Sequence, residues 1–557
     1  MDYIRFGLLA CIVATALFLA KQWTSFEAAH KTPVAITQSI QSNSYNDAIS
    51  NDDIASIDDI PLAPAGTQNT AIPTVINNAA DNIRIITDVL DLRINLKGGD
   101  IVRAALLDFN TSLEDNAEAF VLLENNNQRH YIAQSGLIGR NGTDNKNGRP
   151  MYSAALKEYR LNDGDTELNV DLQQVVNNVV ITKRYVLTRG SHAVKVQHIV
   201  QNNSGDDWQA ALYSQLKRDN TELPSTGGGA FAMKPFLGAA TRSEDKPYKK
   251  MKFKDFAEKP YKATVSGSYI SIVQHYFISA WIPSPSDVTT VTTKRSQSGD
   301  NLIRFTGPLT TVANGDTDVI EATFYAGPKD QYNLEKIAPG LELTVDYGWL
   351  WWIAQPIFWC LTKIQSIVGN WGWSIIFLTL GIKLVFFRLS AASYRSMAKM
   401  RQLTPKMQAI RERLGDDKQK QSAEVMALYK KEKVNPLGGC LPVLIQMPVF
   451  ISLYWVLSES VELRHSPWMF WINDLSAMDP YFILPLLMGA SMFVQQSLNP
   501  APPDPMQAKL MKWLPVMFTF FFLFFPSGLV LYWVVNNVLS ISQQWVITRS
   551  IEKAAEN

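Results

Sequence analysis

Hydrophobic and polar positions divide the chain into stretches of unlike rhythm. Residues 6–20 run apolar between Met1-Asp-Tyr-Ile-Arg5 and Lys21-Gln-Trp23. No small-x-small cleavage pattern follows them, so 1–23 is expected to be an uncleaved transmembrane anchor. Residues 24–74 are Ser, Thr, Asn, Asp, Ala and Pro without periodicity. Such a segment cannot bury enough apolar surface to fold alone and predicts a flexible tether. Over 75–346 the pattern changes to short alternating runs. Val194 and Val196 alternate with Lys195 and Gln197 before Asn202-Asn-Ser-Gly205, and Glu321-Ala-Thr-Phe-Tyr325 ends at Gly327-Pro328. Asn141-Gly142 and Asn147-Gly148 signal turns, and Gly227-Gly-Gly229 a flexible loop. Many short strands predict a large antiparallel β-sandwich.

Longer apolar segments dominate from 347 onward. Residues 347–370 are Trp-rich and interrupted by Pro356, which suits an amphipathic helix lying in the membrane interface. Apolar stretches at 374–387, 441–457, 481–494, 514–525 and 529–547 then predict five further spans within 371–557, six with the anchor. The fold class expected is a polytopic α-helical membrane protein carrying a large all-β domain.

Residues 389–440 are expected to form a helical hairpin. Leu403, Met407, Ile410 and Leu414 have 4-3-4 spacing, Gly415-Asp-Asp417 offers a turn, and Val425 and Leu428 lie on a second helical stretch before Asn435-Pro-Leu-Gly-Gly439. Its faces are basic, with Arg395, Lys399, Arg401, Lys406, Arg411 and Arg413 among them, whereas 459–480 carries Arg464 and several acids. By the positive-inside rule the hairpin is cytoplasmic, the later loop and the β-domain are outside, and both termini are inside. The hairpin's charge fits contact with anionic lipid, a solvated face or a nucleic-acid-rich partner such as a ribosome.

Composition adds mainly exclusions. The 557 residues are 46% hydrophobic and 18% charged, and the net charge of +1 averages two unlike halves. Cys11, Cys360 and Cys440 form no CxxC, and His130, His192, His198 and His275 match no common metal spacing. There is no Gly-x4-Gly-Lys-Ser/Thr motif. The pattern points to no catalytic group, metal or cofactor.

The residue that stands out is Lys383, inside the apolar stretch 374–387. A cation there costs roughly 2.5–3.5 kcal/mol on insertion scales, so it usually faces protein or a water-filled cavity. It lies five residues from Arg388, so snorkelling to the headgroups is equally open on this segment alone. Thr379 sits one turn earlier. Trp533, Asn537, Ser540 and Gln544 recur at i, i+4, i+7 and i+11, and Gln446 and Pro448 add polarity to a third span. Any one stripe reads as interhelical glue, but polar residues on three helices point to a shared cavity.

Ser396-Met-Ala-Lys-Met400, Arg411-Glu-Arg-Leu-Gly-Asp-Asp-Lys418, Lys433-Val-Asn-Pro-Leu-Gly-Gly439, Leu444-Ile-Gln-Met-Pro448, Asp474-Leu-Ser476, Asp504-Pro-Met506 and Phe525-Pro-Ser-Gly-Leu-Val-Leu-Tyr532 closely resemble the YidC/Oxa/Alb family of membrane protein insertases. The resemblance implies a periplasmic β-supersandwich, a five-helix core and a hydrophilic groove open to cytoplasm and lipid. It places Lys383 where the family normally has arginine, and carries over Thr379, Gln446, Met447, Pro448 and Tyr532 as groove positions. Trp533 stands where the family often has tyrosine. Lysine keeps the point charge and loses the bidentate fork.

The implied partners are nascent inner-membrane proteins, the Sec translocon (SecYEG with SecDF), the ribosome, the signal-recognition-particle receptor and anionic lipid, with no DNA. Two rival readings are a small-solute transporter with Lys383 as counter-ion, which lacks the usual internal repeats, and a membrane-anchored sugar-binding protein.

Overall fold

The computed structural model describes residues 59–61, 82–114, 116–145, 148–222, 235–415, 417–432, 434, 441–499 and 505–556. The expected anchor, all of the tether except 59–61, the Gly227–Gly229 loop, Cys11, Cys440 and the Asn435–Gly439 motif lie outside these residues.

Residues 82–328 fold as two stacked β-sheets. One has ten strands, from the edge strand Lys262–Ser266 through Asn301–Val312, Trp208–Arg218 and His130–Ile138 to Asn82–Ile86. The other has nine, with Phe277–Pro283, Thr317–Pro328, Ala193–Asn202 and Val179–Thr188 side by side. Pairing is antiparallel except where Glu158–Arg160 adds to Asn82–Ile86 in parallel. The alternation read at Ala193–Asn202 is the inward set Val194, Val196, His198 and Val200. Val194 and Val196 meet Leu92, Ile94, Tyr185, Leu216, Trp281 and Phe324 in one core, and Val200 packs with Leu137, Val179, Ile181 and Trp208 in a second.

The sandwich also encloses charge. Arg149 pairs with Asp144 at 2.7 Å and with Asp100, and donates to Ser135 O at 2.9 Å. Lys183 Nζ donates to the carbonyls of Gly98, Gly99 and Ser135 at 2.8–3.0 Å. Burial pushes the Lys183 ammonium down to about 7 despite the pull of Asp100. Gly98 and Gly99 have φ of +80° and +61°, and a Cβ would come within 2.5 Å of Arg149 and 2.9 Å of Lys183. Side chains are thus excluded where the turn wraps the two cations. Among the described residues His198 has no hydrogen-bond partner for either ring nitrogen, and burial, then Lys183 and Arg149, hold it well below its ordinary range.

Part of the expected tether is pinned to this domain. Asp59 is buried and pairs with Lys217 at 2.7 Å, its carbonyl accepts from Arg304 Nη1, and Ile60 packs on Ile138, Ala211 and Tyr213. Lys217 also lies 3.4 Å from Asp300, which bonds His130 at 3.0 Å.

Beyond the sheets, nine longer helices are described: α1 Trp351–Val368, α2 Trp371–Val385, α3 Phe387–Gln402, α4 Thr404–Leu414, α5 Lys418–Lys431, α6 Leu441–Glu459, α7 Ile483–Ser497, α8 Pro505–Phe522 and α9 Ser527–Glu556. α1 exposes Trp351, Trp352, Trp359 and Ile367, and buries Ala354, Phe358 and Leu361. Among the described residues no single helix is long and apolar enough to cross a membrane; α2 and α3, bent by 68°, pass that test together. The segment after the Lys383 stretch is therefore a helix in its own right, and the hairpin proper is α4–α5. Ser390, Ala391, Tyr394, Met397 and Ala398 form the buried face of α3. The turn at Gly415 has φ +55°, and Asp417 caps α5 through Lys420 N.

The β-domain is fastened to the helices through the segment that follows α6. Lys329 pairs with Glu459 at 2.6 Å, both side chains buried, and His275 Nε2 donates to Ser458 O at 2.9 Å. Arg464 lies over the rings of Phe120 and Phe277, and Val461 joins the sandwich core.

Two outcomes follow from these charges. Burial alone would raise the Asp300 carboxyl, but hydrogen bonds from His130 and Ser298 and the charge of Lys217 bring it from 3.8 to about 2. Its folded pKa is depressed, so its stabilisation is complete above pH 3.8 and disappears as pH falls toward 2. Asp300→Asn should flatten acid unfolding of the β-domain in that window, followed by tryptophan fluorescence of the whole chain; an unaltered acid limb would refute the assignment. Lys329→Met should strand Glu459 and cost about 3–5 kcal/mol at the junction, with Lys329→Met/Glu459→Gln recovering most of it. Limited proteolysis between the β-domain and α6 reads both variants.

Candidate functional site

The start of α2 is fixed by its cap. Asn370 accepts from Trp373 N at 3.1 Å and donates to Pro467 O at 3.1 Å, tying the helix to the segment after α6. A Cβ on Gly372 would overlap Trp468, so a small residue permits this close approach. From there Ile375, Thr379 and Lys383 fall four apart and share the buried face of α2. Thr379 donates to its own helix at Ile375 O, 2.6 Å away.

Lys383 is buried, and its Nζ donates to Ser540 Oγ of α9 at 2.6 Å. Ser540 in turn donates to Asn536 O at 2.7 Å. Tyr394 of α3 hydrogen-bonds the same hydroxyl, so three helices meet at one oxygen. Lys383 joins no ion pair among the described residues.

The remaining stripe on α9 is shared out to other neighbours. Asn537 Nδ2 donates to Ser491 Oγ of α7 at 3.0 Å, and Gln544 to Asn499 Oδ1 just beyond α7 at 3.0 Å. Trp533 meets Phe450 of α6 edge-on at 4.6 Å between centroids, with Phe522 of α8 at 5.3 Å, and Tyr532 stacks on Phe450 at 6.2 Å. The Trp533 indole N–H is buried without a partner. On α6, Gln446 and Pro448 are half-buried and Met447 is exposed, one turn before Phe450. The structure thus joins Lys383 to Ser540, sets Thr379 on the same face, and groups Tyr532 and Trp533 with α6 and α8.

Of the six basic residues expected to recruit partners, Arg395, Lys399 and Arg401 are exposed on α3, and Lys406, Arg411 and Arg413 lie on α4. Lys406 pairs with Glu432 at 2.8 Å and Arg413 with Glu424, so these two cations brace the hairpin. Met407, Val425 and Tyr429 pack beneath them.

Tyr394 is the member that sequence reasoning missed. The 3-4 recurrence of Ser390/Ala391, Tyr394 and Met397/Ala398 marks a helical face, but the surrounding basic residues obscured it. Among the described residues no group of His, Cys, Asp and Glu could hold a metal.

Residues 82–360 match the family described as the YidC periplasmic domain, and residues 363–554 the 60Kd inner membrane protein family. A membrane protein insertase YidC of Stutzerimonas stutzeri is 50% identical over the whole of both chains. The chain belongs to the YidC family of membrane protein insertases. Another YidC, from Pseudomonas fluorescens, is 51% identical over all of this chain and 99% of its own. The crystal structure of an active YidC insertase with its first transmembrane domain resolved aligns over 85% of this chain and 94% of that one, at 17% identity and a TM-score of 0.38. In YidC terms, the β-sandwich is the periplasmic domain and α2–α9 belong to the inner-membrane part.

Proposed function

We propose that this chain moves nascent inner-membrane proteins from the cytoplasm into the lipid bilayer, alone or beside the Sec translocon, and assists their folding and assembly. The observation that carries the reading is Lys383: a buried cation held by a serine hydroxyl and unmatched by any described carboxylate. An ammonium has three donors and Ser540 takes one, which leaves two for an acidic flank entering the groove.

Helix lengths support the same reading. At 1.5 Å per residue, α2 and α7, of 15 residues each, span about 22 Å, and α8, of 18, about 27 Å, against a hydrocarbon core of about 30 Å. Short elements thin the bilayer around them. A polar flank then crosses a reduced barrier while its apolar segment slides past Met447 and the Tyr532–Trp533 aromatics into lipid. A membrane potential adds about 2.3 kcal/mol per charge per 100 mV for acidic flanks. No bond is made or broken.

In this reading the six spans are the N-terminal anchor, α2 with the start of α3, and α6–α9, with both termini in the cytoplasm. The end of α3 and the α4–α5 hairpin would face the cytoplasm and meet anionic lipid, the ribosome or the signal-recognition-particle receptor through Arg395, Lys399 and Arg401 of α3 and Arg411 of α4. α1 would lie along the outer interface.

Insertion of an acidic-flanked client into liposomes holding only this protein, scored by protease protection without nucleotide, tests the mechanism. Lys383→Arg should retain insertion and Lys383→Ala should lower it severalfold; equal activity in all three would mean the cation is idle. Replacing Arg395, Lys399 and Arg401 by glutamine should weaken co-sedimentation with anionic vesicles and flatten its salt dependence, while Lys406→Gln should instead lower hairpin stability. Unchanged sedimentation for the triple variant would remove these residues from recruitment.

A further inference from the structure

Lysine at this position has a freedom that the structure takes away. Its four-carbon stem rotates readily, and Lys383 is two residues from the end of α2 at Val385, within reach of the headgroups near Arg388. Yet the ammonium is turned inward and bonded to α9. Ser540 is well suited to hold it. Its single proton goes to Asn536 O, so its lone pairs face Lys383 Nζ and the Tyr394 hydroxyl. Tyr394, fixed on the buried face of α3, flanks the hydroxyl from the third helix.

We propose that Ser540 is a positioning residue for the groove cation: it holds the Lys383 ammonium between α2 and α9, at a depth where an acidic flank meets it, and prevents its retreat to the interface. The inference rests on the insertase reading above. Ser540 does not bind client in this account; it acts through Lys383, and Tyr394 supports it.

The test uses the full chain in proteoliposomes and two clients that differ only in two flank residues, Asp in one and Asn in the other. The quantity read is the ratio of acidic to neutral insertion. In the wild type it exceeds one, and Lys383→Ala should bring it to one. Ser540→Ala should bring the ratio most of the way from its wild-type value down to one, as expected for the loss of a hydrogen bond to a charged group, with the neutral client unaffected. Ser540→Thr should restore it, and Tyr394→Phe should give an intermediate loss. If the alanine variant is not recovered folded, Ser540→Cys, similar in size and a poor acceptor, gives the same reading.

A wild-type ratio in Ser540→Ala, beside a ratio of one in Lys383→Ala, would overturn the positioning role and leave the insertase reading standing. An equal fall for both clients would make Ser540 a packing residue and overturn it as well. Wild-type insertion of both clients by Lys383→Ala would instead sink the reading beneath it.

Discussion

Withdrawing a cation from water is the constraint that organises both halves of this protein. In the β-domain four deeply buried cations are answered, Arg149 by Asp100 and Asp144, Lys217 by Asp59 and Asp300, Lys329 by Glu459, and Lys183 by three carbonyls with Asp100 close by, whereas Arg218 donates to Thr221 O and lies over the Tyr131 ring. Desolvation of such charges costs several kcal/mol per ion unless hydrogen bonds and counter-charge offset it. Lys383 departs from that rule. Its described environment supplies a serine hydroxyl and no acid.

The helices around it explain how such a charge is tolerated. α2 ends at Val385 and the chain bends by 68° into α3, so Lys383 lies close to a break rather than at the centre of a long span. Of the helices around it, α2 and α7 are short at 15 residues each, α6 and α8 are interrupted by Pro448 and Pro515, and α9 runs for 30 residues. Each proline frees a backbone carbonyl that needs a polar neighbour or water.

Much of this was legible in the sequence where periodicity is strong. The alternation of Val194 and Val196 marked the sandwich, and the 4-3-4 spacing from Leu403 to Leu414 marked α4. What escaped depended on long-range partners. α3 was absorbed into the hairpin because its exposed basic residues outweighed the small and aromatic positions that pack on α9. The stripe Trp533–Asn537–Ser540–Gln544 was visible as a face, but one face of α9 meets several neighbours. Asn537 and Gln544 bond to α7 and the residues just beyond it, and Ser540 alone reaches Lys383. The Asp59 clasp was illegible too, since one acid among the several of a polar tract acquires meaning only opposite Lys217.

The junction between the halves follows the same electrostatic logic. Glu459 ends α6, the helix that carries Gln446, Met447 and Pro448, and its carboxylate is committed to Lys329 of the β-domain. His275 holds the adjacent Ser458 carbonyl, and Val461 is buried in the sandwich core. Asn370, which caps α2, bonds Pro467 in the same segment. The helix bearing Lys383 and the helix bearing Met447 are therefore both anchored to one connecting segment, which the β-domain grips. The β-domain in this way holds both helices to one segment, because pulling the segment away would leave Lys329 and Glu459 buried and unpaired.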